Sequence, residues 1–458
     1  MNPNLPLSEY YRTPLEFEQT WSTPQLSGNA GFFRWFDAVC YGQCESGVAK
    51  DISGSSSWDA SKYTQAQNSK LHLPFQPSQI IENLRWERYE NCLTPKTERV
   101  AAQGWLLTLY YSARSILPVA VRRALQRAYF SDWRKIPFPA WPVDFTVDNL
   151  HEHLLRLSME AAETKKVPFI WFWPDGAPSC LVMTHDVETT AGRDFTSQLM
   201  DIDASYGIAA AFEVVPEKRY EVPDEYVSEM KRRGFEFNVH DLNHDGLLYH
   251  DRKEFERRAV AINEYVRKYG ARGFRAGSMH RNLEWYQSFE FSYDMSVPNV
   301  AHFEPKRGGC CTVMPYFVGK ILELPLTAAQ DFCLFHMLNE YSINLWKRQI
   351  EMIHKRNGLI SFICHPDYLI KSRPRGVYQS LLAHLRELVS QEKIWHALPM
   401  DVDRWWRARS QMKLVRNGSE WEIDGPEKER ARIAYAILED DQLRYEVAGA
   451  TVRESVQL

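Results

Sequence analysis

The sequence lacks any run of apolar residues long enough to cross a bilayer, which argues against a membrane-spanning chain. Its formal net charge is only −4 and its pI is near 6.4, so there is no general electrostatic reason to expect a nucleic-acid partner. The first residues, MNPNLPLSEYYRTPLEFEQ, lack the charged region, apolar run and small-residue cleavage site of a signal peptide. These absences predict a cytoplasmic protein.

Paired cysteine spacings are also missing. The eight cysteines show neither a CxxC pair nor the spacing of a zinc ribbon, which predicts reduced thiols. The chain is 458 residues long. Its composition, 44% hydrophobic and 25% charged residues, is typical of globular proteins. This length predicts two or three domains, or one large domain with extensions. The 15 Trp and 22 Tyr could form surfaces on which sugars stack, or they could pack in the hydrophobic core. Packing in the core is the favoured interpretation.

The pattern of residues changes near residue 175. We predict that residues 1–175 form an N-terminal, mostly helical extension, with helices at about 101–130 and 147–165 and no assignable fold elsewhere. The stretch 112–130 sets arginines among apolar residues, which is typical of a membrane-surface helix or of a helix packed on the main domain; the second interpretation is favoured. Residues 412–458 alternate between apolar and polar residues and contain turn signals, which predicts a small β appendage.

Between residues 176 and 411, short apolar runs alternate with charged amphipathic segments. The apolar runs include CLVMTH, IAAAFEVVP and FEFNVHD, and the segments between them have the periodicity of helices. Strands that alternate with helices predict βαβ units, a mainly parallel sheet and right-handed crossovers. The seven or eight repeats favour a barrel over an open sheet. The fold class is therefore α/β, and we expect a distorted, seven-stranded (β/α) barrel.

Polar residues follow several of the predicted strands. They are Asp186 and Glu188, His240 and His244, Arg275, Asp294, and His365 with Asp367. In a (β/α) barrel the carboxyl ends of the strands converge on one face, so residues far apart in sequence come together. Histidines four residues apart on a helical turn face the same side and can bind one metal ion, with a carboxylate from a neighbouring strand as a third ligand.

The motifs THDVE, HDLNH, FRAGS, YDMS and ICHPDYL occur in this order over roughly residues 178–400. They resemble the ordered motifs of the polysaccharide deacetylases, the NodB-homology group of carbohydrate esterase family four. The resemblance implies a metal-dependent hydrolase that removes N-acetyl groups from an amino sugar in a glycan or a glycan precursor. It also implies an N-acetylated carbohydrate as substrate and one divalent ion, usually Zn²⁺, as cofactor.

The resemblance also implies a role for each residue of the motifs. Asp186 is the expected general base, Arg275 pairs with it, His240, His244 and Glu188 are the expected metal ligands, His365 is the expected general acid and Asp294 tunes it. Other interpretations stay open, because Asp186 could cap the next helix, Arg275 could form a surface ion pair and His365 could lie in a turn. Asp331, in TAAQDF, could replace Asp294.

The sequence departs from the family pattern at two places. Val187 occupies the position of the family's second acid, and Glu188 follows one residue later. Because side chains alternate along a strand, Glu188 should return to the side of Asp186. Gly277 stands where the family has proline after the arginine. These departures favour one alternative, a catalytically inactive, carbohydrate-binding barrel. A further alternative keeps the metal site in a hydrolase of a non-peptide C–N bond in a small molecule.

Overall fold

The structure is a computed structural model that describes residues 6–14, 17, 21–22, 25–45, 47–49, 52, 58–67, 70–93, 125 and 127–449. The chain divides into two compact units. The first comprises residues 1–89, 145–178 and 404–458, and the second comprises residues 90–144 and 179–403. Among the described residues, no helix is both long enough and apolar enough to cross a membrane.

The second unit is built around one sheet with flanking helices. Its described strands are β1 (Cys180–Val187), β2 (Ala211–Val214), β3 (Glu236–His240), β4 (Gly273–Arg275), β5 (Tyr293–Asp294), β6 (Tyr316–Val318), β7 (Ile321–Glu323), β8 (Leu359–Ile363) and β9 (Trp395–His396). Its main helices are α1 (Thr190–Ser205), α2 (Asp224–Arg232), α3 (Arg252–Tyr269), α4 (Asn344–Lys355), α5 (Pro366–Leu369) and α6 (Ser372–Gln391). Strands and helices alternate along the chain, as expected for βαβ units.

The sheet is curled into an incomplete barrel. Its order is β6–β7–β5–β4–β3–β2–β1–β8, and β9 lies beside the first residues of β1. Among the described strands, eight have parallel neighbours, including β9 beside β1, whereas β6 is antiparallel to β7. The segment after β7 approaches β8 through the Ala328 N–H, which donates to the carbonyl of Ser361 at 3.1 Å. The expected distorted (β/α) barrel is confirmed.

Burial explains why CLVMTHDV forms the central strand β1. All eight residues are buried, as expected for a parallel strand covered on both faces. The chain then enters α1, whose first turn is capped by Thr189, with its hydroxyl accepting a hydrogen bond from Gly192 N–H. Because Thr189 supplies the cap, Asp186 is not needed at the helix start.

The first unit combines helices with small sheets that are mostly antiparallel. Its described helices include Pro6–Tyr10, Pro77–Arg85 and Thr146–Ala161, and its strands are Trp21–Ser22, Gly31–Trp35, Ala38–Gly42, Gln65–Gln67, Lys70–His72, Lys166–Ile170, Lys413–Asn417, Glu420–Asp424, Ile433–Glu439 and Gln442–Val447. The helices Glu90–Leu93 and Pro399–Gln411 are also described. The N-terminal region thus contains strands that the sequence does not predict. The helix expected at 101–130 lies outside the described residues, except for residue 125 and residues 127–130.

The strands that follow residue 412 belong to the first unit. Ile433–Glu439 pairs antiparallel with Gln442–Val447 on one side and with Lys166–Ile170 on the other. The inward side chains of Ile433–Glu439, including Ala434 and Ala436, are fully buried. The three strands form one sheet, although more than 250 residues separate Lys166–Ile170 from Ile433–Glu439 along the chain.

Candidate metal and catalytic site

The ends of the parallel strands bring the predicted site residues together. Asp186 is the penultimate residue of β1, His240 ends β3 and Arg275 ends β4. His240 and Arg275 are paired neighbours in the register of β3 and β4. The carboxyl ends of these strands form one edge of the barrel, which is where ligand and catalytic groups collect in this type of fold.

Two imidazoles and a carboxylate form a candidate metal centre at this edge. Ligand atoms of Glu188, His240 and His244 lie within 4.8 Å of one another. The Glu188 Oε1 atom is 2.9 Å from His244 Nε2 and 3.8 Å from His240 Nε2. Both Nε2 atoms are buried, and neither has a hydrogen-bond partner of good geometry in the part of the chain that the structure describes.

The tautomer of His240 suits metal binding. His240 Nδ1 lies 3.0 Å from the carbonyl oxygen of Arg275, so Nδ1 carries the hydrogen and donates, and the lone pair of Nε2 faces the cluster. The side chain of His240 is buried, which fixes its orientation. Two neutral imidazole nitrogens and a carboxylate oxygen are the ligands that Zn²⁺ accepts in catalytic sites. The three residues therefore fit a divalent ion.

Glu188 is anionic at this position. Burial by itself raises the pKa of its carboxyl group, but the imidazoles of His244, His240 and His365 lower it well below its usual range. The alternation of side chains along β1 sends Val187 away from the cluster and brings Glu188 back to the side of Asp186. The pleat of the strand explains how an acid one residue late can still reach both histidines.

Asp186 forms a buried ion pair with Arg275. Arg275 Nη1 donates to Asp186 Oδ1 at 2.5 Å and to Thr184 Oγ1 at 2.9 Å, and Arg275 Nε donates to the carbonyl of Met295 at 3.0 Å. Burial by itself raises the pKa of Asp186, but the guanidinium of Arg275, followed by His240, lowers it below the usual value. Asp186 Oδ2 lies 3.7 Å from His240 Nε2, so an ionised carboxylate borders the candidate metal centre.

His365 borders the centre on another side. Its Nδ1 lies 2.7 Å from Asp331 Oδ1, and its backbone N–H donates to Asp331 Oδ2, also at 2.7 Å. Burial by itself lowers the pKa of His365, but the carboxylate of Asp331 raises it well above its usual range. His365 Nε2 is 3.5 Å from Glu188 Oε1, so a proton on Nε2 faces the cluster. Asp367 follows in α5, and burial raises its pKa to about 6.

Asp294, the expected partner of His365, bonds to other groups in the structure, and Asp331 is the carboxylate that binds His365. Asp294 Oδ2 accepts from Tyr286 Oη at 2.7 Å and from the Ser296 N–H at 2.9 Å. Its other oxygen accepts from Ser296 Oγ at 2.8 Å. Asp294 also faces Glu323, whose pKa is raised well above its usual value by burial and by this neighbour. Asp294 thus belongs to a separate buried network around the end of β5.

Gly277 is required by the packing behind His244. A Cβ atom at position 277 would lie 2.5 Å from Asp241 Oδ2 and 3.0 Å from His244 Cδ2. Any other residue at this position, including the family's proline, would clash with Asp241 and His244. The departure at Gly277 is therefore matched to Asp241, a buried acid with a positive φ of 55°.

Arg219 is a contact of the site that the sequence reasoning missed. Its Nη2 donates to the carbonyl oxygen of His244, and its Nε donates to the carbonyl of Asn243 at 3.2 Å. These contacts hold the loop that carries His244. Arg219 lies in the loop after β2, where no spacing marks it; the available signal was its position soon after the strand run IAAAFEVV.

No protein-family model and no curated protein matches the chain. A protein assigned as a polysaccharide deacetylase from Mycobacterium smegmatis matches with a TM-score of 0.43 and 18% identity, covering 55% of this chain and 98% of its own.

Two further solved structures give a similar level of likeness. A protein assigned as a polysaccharide deacetylase from Pseudomonas aeruginosa PAO1 matches with a TM-score of 0.41 and 14% identity, over 51% of this chain and 93% of its own. The Puue allantoinase matches with a TM-score of 0.41 and 12% identity, over 51% of this chain and 92% of its own.

Proposed function

We propose that the chain is a metal-dependent hydrolase that removes N-acetyl groups from an amino sugar in a glycan or a glycan precursor. One observation carries the proposal: the Glu188, His240 and His244 cluster is bordered by an ionised Asp186 and by His365. Amide hydrolysis by this route uses a metal ion, a general base and a general acid, and this site can supply all three. The order of the sequence motifs supports an N-acetylated sugar as substrate.

The roles of the protein residues follow from their charges. When bound at this centre, a divalent ion polarises a substrate carbonyl and lowers the pKa of a bound water from about 15.7 towards about 7. Asp186 accepts a proton from the attacking water, and Arg275 keeps its carboxylate oriented for that task. His365, protonated through its pairing with Asp331, gives a proton to the nitrogen of the breaking C–N bond. The products are acetate and a free amine.

Both departures from the family pattern are compatible with catalysis. Glu188 reaches His244 in spite of the inserted Val187, and Gly277 leaves room for His244 beside Asp241. These contacts support turnover over an inactive, carbohydrate-binding barrel. We therefore propose an active enzyme. The experiment below also tests whether the substrate is a small molecule with a C–N bond.

The test measures metal content and product release on the full chain. Protein purified without added metal is analysed for divalent ions, then assayed for acetate release from N-acetylated oligosaccharides with zinc or cobalt supplied. We expect about one ion per chain and acetate release that a chelator abolishes. His244→Ala should lose both, whereas His384→Ala, on the outer helix α6, should lose neither.

Three outcomes would replace the proposal. Metal binding without acetate release, together with hydrolysis of a small cyclic amide, would assign the site to small-molecule C–N bonds. Sugar binding without metal or turnover would assign the barrel to carbohydrate binding. Absence of metal binding after zinc and cobalt are supplied would reject the candidate centre.

A further inference from the structure

Glu213 is a buried carboxyl group that the proposed chemistry does not use. It lies in β2 with a fully buried side chain. In the parallel registers, Glu213 pairs with Asp186 of β1 on one side and with Asn238 of β3 on the other. Residues paired in register share a face of the sheet, so the three side chains project together into the barrel.

Two buried polar atoms near this point lack hydrogen-bond partners among the described residues: Glu213 Oε2 and Arg275 Nη2. The remaining atoms of both groups are used. Arg275 donates through Nε and Nη1, and Glu213 Oε1 accepts from Asn238 Nδ2 at 3.3 Å. Buried donors and acceptors without partners are rare in native proteins, so a pair of them beside one ion pair needs an explanation.

The proton on Glu213 can be placed. Burial, opposed in part by the charge of Arg275, raises the pKa of Glu213 to about 8, so its carboxyl group is protonated at neutral pH. The Asn238 amide is oriented by the Gly273 N–H, which donates to its Oδ1 at 2.7 Å. Asn238 Nδ2 must therefore donate to Glu213 Oε1, and the proton lies on Oε2. Glu213 Oε2 and Arg275 Nη2 are then both donors.

We propose that Glu213 is a positioning residue for Arg275: one buried water accepts hydrogen bonds from Glu213 Oε2 and Arg275 Nη2 and holds the guanidinium against Asp186. Two donors repel in direct contact, but a water oxygen can accept from both. Buried waters of this kind typically make about three hydrogen bonds to groups that are otherwise unsatisfied. A neutral Glu213 also leaves Asp186 as the carboxylate to which Arg275 is bonded.

The surroundings of Glu213 maintain this state. The other ionisable groups that face it are Asp186 from β1, Glu236 from β3, Arg275 from β4 and Tyr293 from β5. Tyr293 Oη donates to Glu236 Oε1, and Asn238 Nδ2 donates to Tyr293 Oη at 2.8 Å. Arg275 is therefore the cation of this group, and it is already paired with Asp186.

The experiment compares Glu213→Leu with the conservative variant Glu213→Gln. The effect on turnover rests on the proposed function. Leu removes the polar group, so we expect kcat to fall roughly 10- to 100-fold with KM within about twofold, because a small displacement of Arg275 misplaces the base. Gln keeps a neutral donor, so kcat should stay within about threefold of the parent. Equal kcat for Leu and parent, or equal loss in both variants, would overturn the proposal.

Two measurements do not depend on turnover. A crystal structure of the parent at high resolution should show the water between Glu213 and Arg275; direct contact or an empty gap would overturn the proposal. The unfolding midpoint of metal-free parent should fall between pH 7 and 8, and Glu213→Gln should lessen that fall. If the parent releases no acetate, the proposed function fails, while these two measurements still decide the role of Glu213.

Discussion

At the scale of single residues, Asp186 near the end of β1 and Glu188 directly after it are two acids with different surroundings. Asp186 bonds to Arg275, whereas Glu188 lies against the imidazoles of His240 and His244. A carboxylate that is already bonded to a guanidinium is oriented for proton transfer, and one that faces two unpartnered imidazole nitrogens is placed as a ligand. The two acids should therefore be separable by mutation.

We expect Glu188→Gln to weaken metal binding roughly 10- to 100-fold, because a neutral amide replaces an anionic ligand. Asp186→Asn should leave the metal in place and remove most turnover, because the base is lost while the ligands remain. Metal titration by calorimetry, with acetate release measured in parallel, checks both variants. If Glu188→Gln binds metal as tightly as the parent, Glu188 is not a ligand and the proposed division of roles is wrong.

A second pair of variants tests which acid acts on His365. Asp331→Ala removes the partner of both the Nδ1 and the backbone N–H of His365, so we expect turnover to fall roughly 10- to 100-fold in protein that remains folded. Asp294→Asn should keep turnover within about threefold of the parent, because Asp294 bonds to Tyr286 and Ser296. The reverse pattern of losses would restore the role that the sequence suggested for Asp294.

At the scale of secondary-structure elements, the alternation of strands and helices was predictable because most strands of the barrel lie in short, buried apolar runs. The ends of β1, β3 and β4 were predictable for the same reason, since a polar residue directly after such a run lies at the barrel edge. The position of Asp331 was harder to predict. An irregular segment separates it from β7, so the periodicity of the strand does not indicate where its side chain lies.

The first unit was poorly predicted because its sheets join distant segments. The sequence of Lys166–Ile170 follows a predicted helix and gives no clear strand signal. Its partner strand, Ile433–Glu439, lies near the other end of the sequence. Pairing of this kind depends on tertiary contacts that local periodicity does not contain. The short strands Gln65–Gln67 and Lys70–His72 give too few residues for a period of two to be recognised.

The strand pairing gives a prediction for truncation. Removing residues 412–458 should destabilise the first unit, because it uncovers the edge of Lys166–Ile170 and removes the buried side chains of Ala434, Ala436 and Leu438. A lower unfolding midpoint and faster amide exchange in Lys166–Ile170 are the expected results. The control is the double variant Asp440→Asn with Asp441→Asn at the turn before Gln442–Val447, which should change neither measurement. Unchanged exchange in the truncated chain would show that these strands are dispensable.

At the scale of the whole molecule, buried titratable groups set the dependence of stability on pH. Burial raises the pKa of Glu213 to about 8 and the pKa values of Glu236 and Glu304 to about 7, from a usual value of 4.5. Burial lowers the pKa of His302 to about 4, from a usual value of 6.5. Both kinds of group are neutral in the folded protein at pH 6.5, although the unfolded chain would ionise the three carboxyl groups.

The sign of the pH effect follows from proton binding. Between pH 6.5 and 8 the folded protein holds protons on these glutamates that the unfolded chain has released, so stability falls as pH rises. Each such group contributes a loss of about 1.4 kcal/mol per pH unit until its folded pKa is reached. His302 acts in the other direction and below pH 6.5, where the unfolded chain binds a proton that the folded protein excludes.

We therefore expect the barrel unit to lose stability steadily from pH 6.5 to pH 8. The measurement is thermal unfolding with hydrogen exchange of β2 and β3 amides, in the presence of a chelator, because metal binding would strengthen as its histidine ligands lose protons and would oppose the effect. His240 and His365, whose pKa values are raised, act in the same direction as the glutamates in metal-free protein. Glu213→Gln should make the loss shallower, most clearly above pH 7, where the other two glutamates have reached their folded pKa values. A midpoint that stays constant or rises over this interval would show that these carboxyl groups are ionised in the folded barrel.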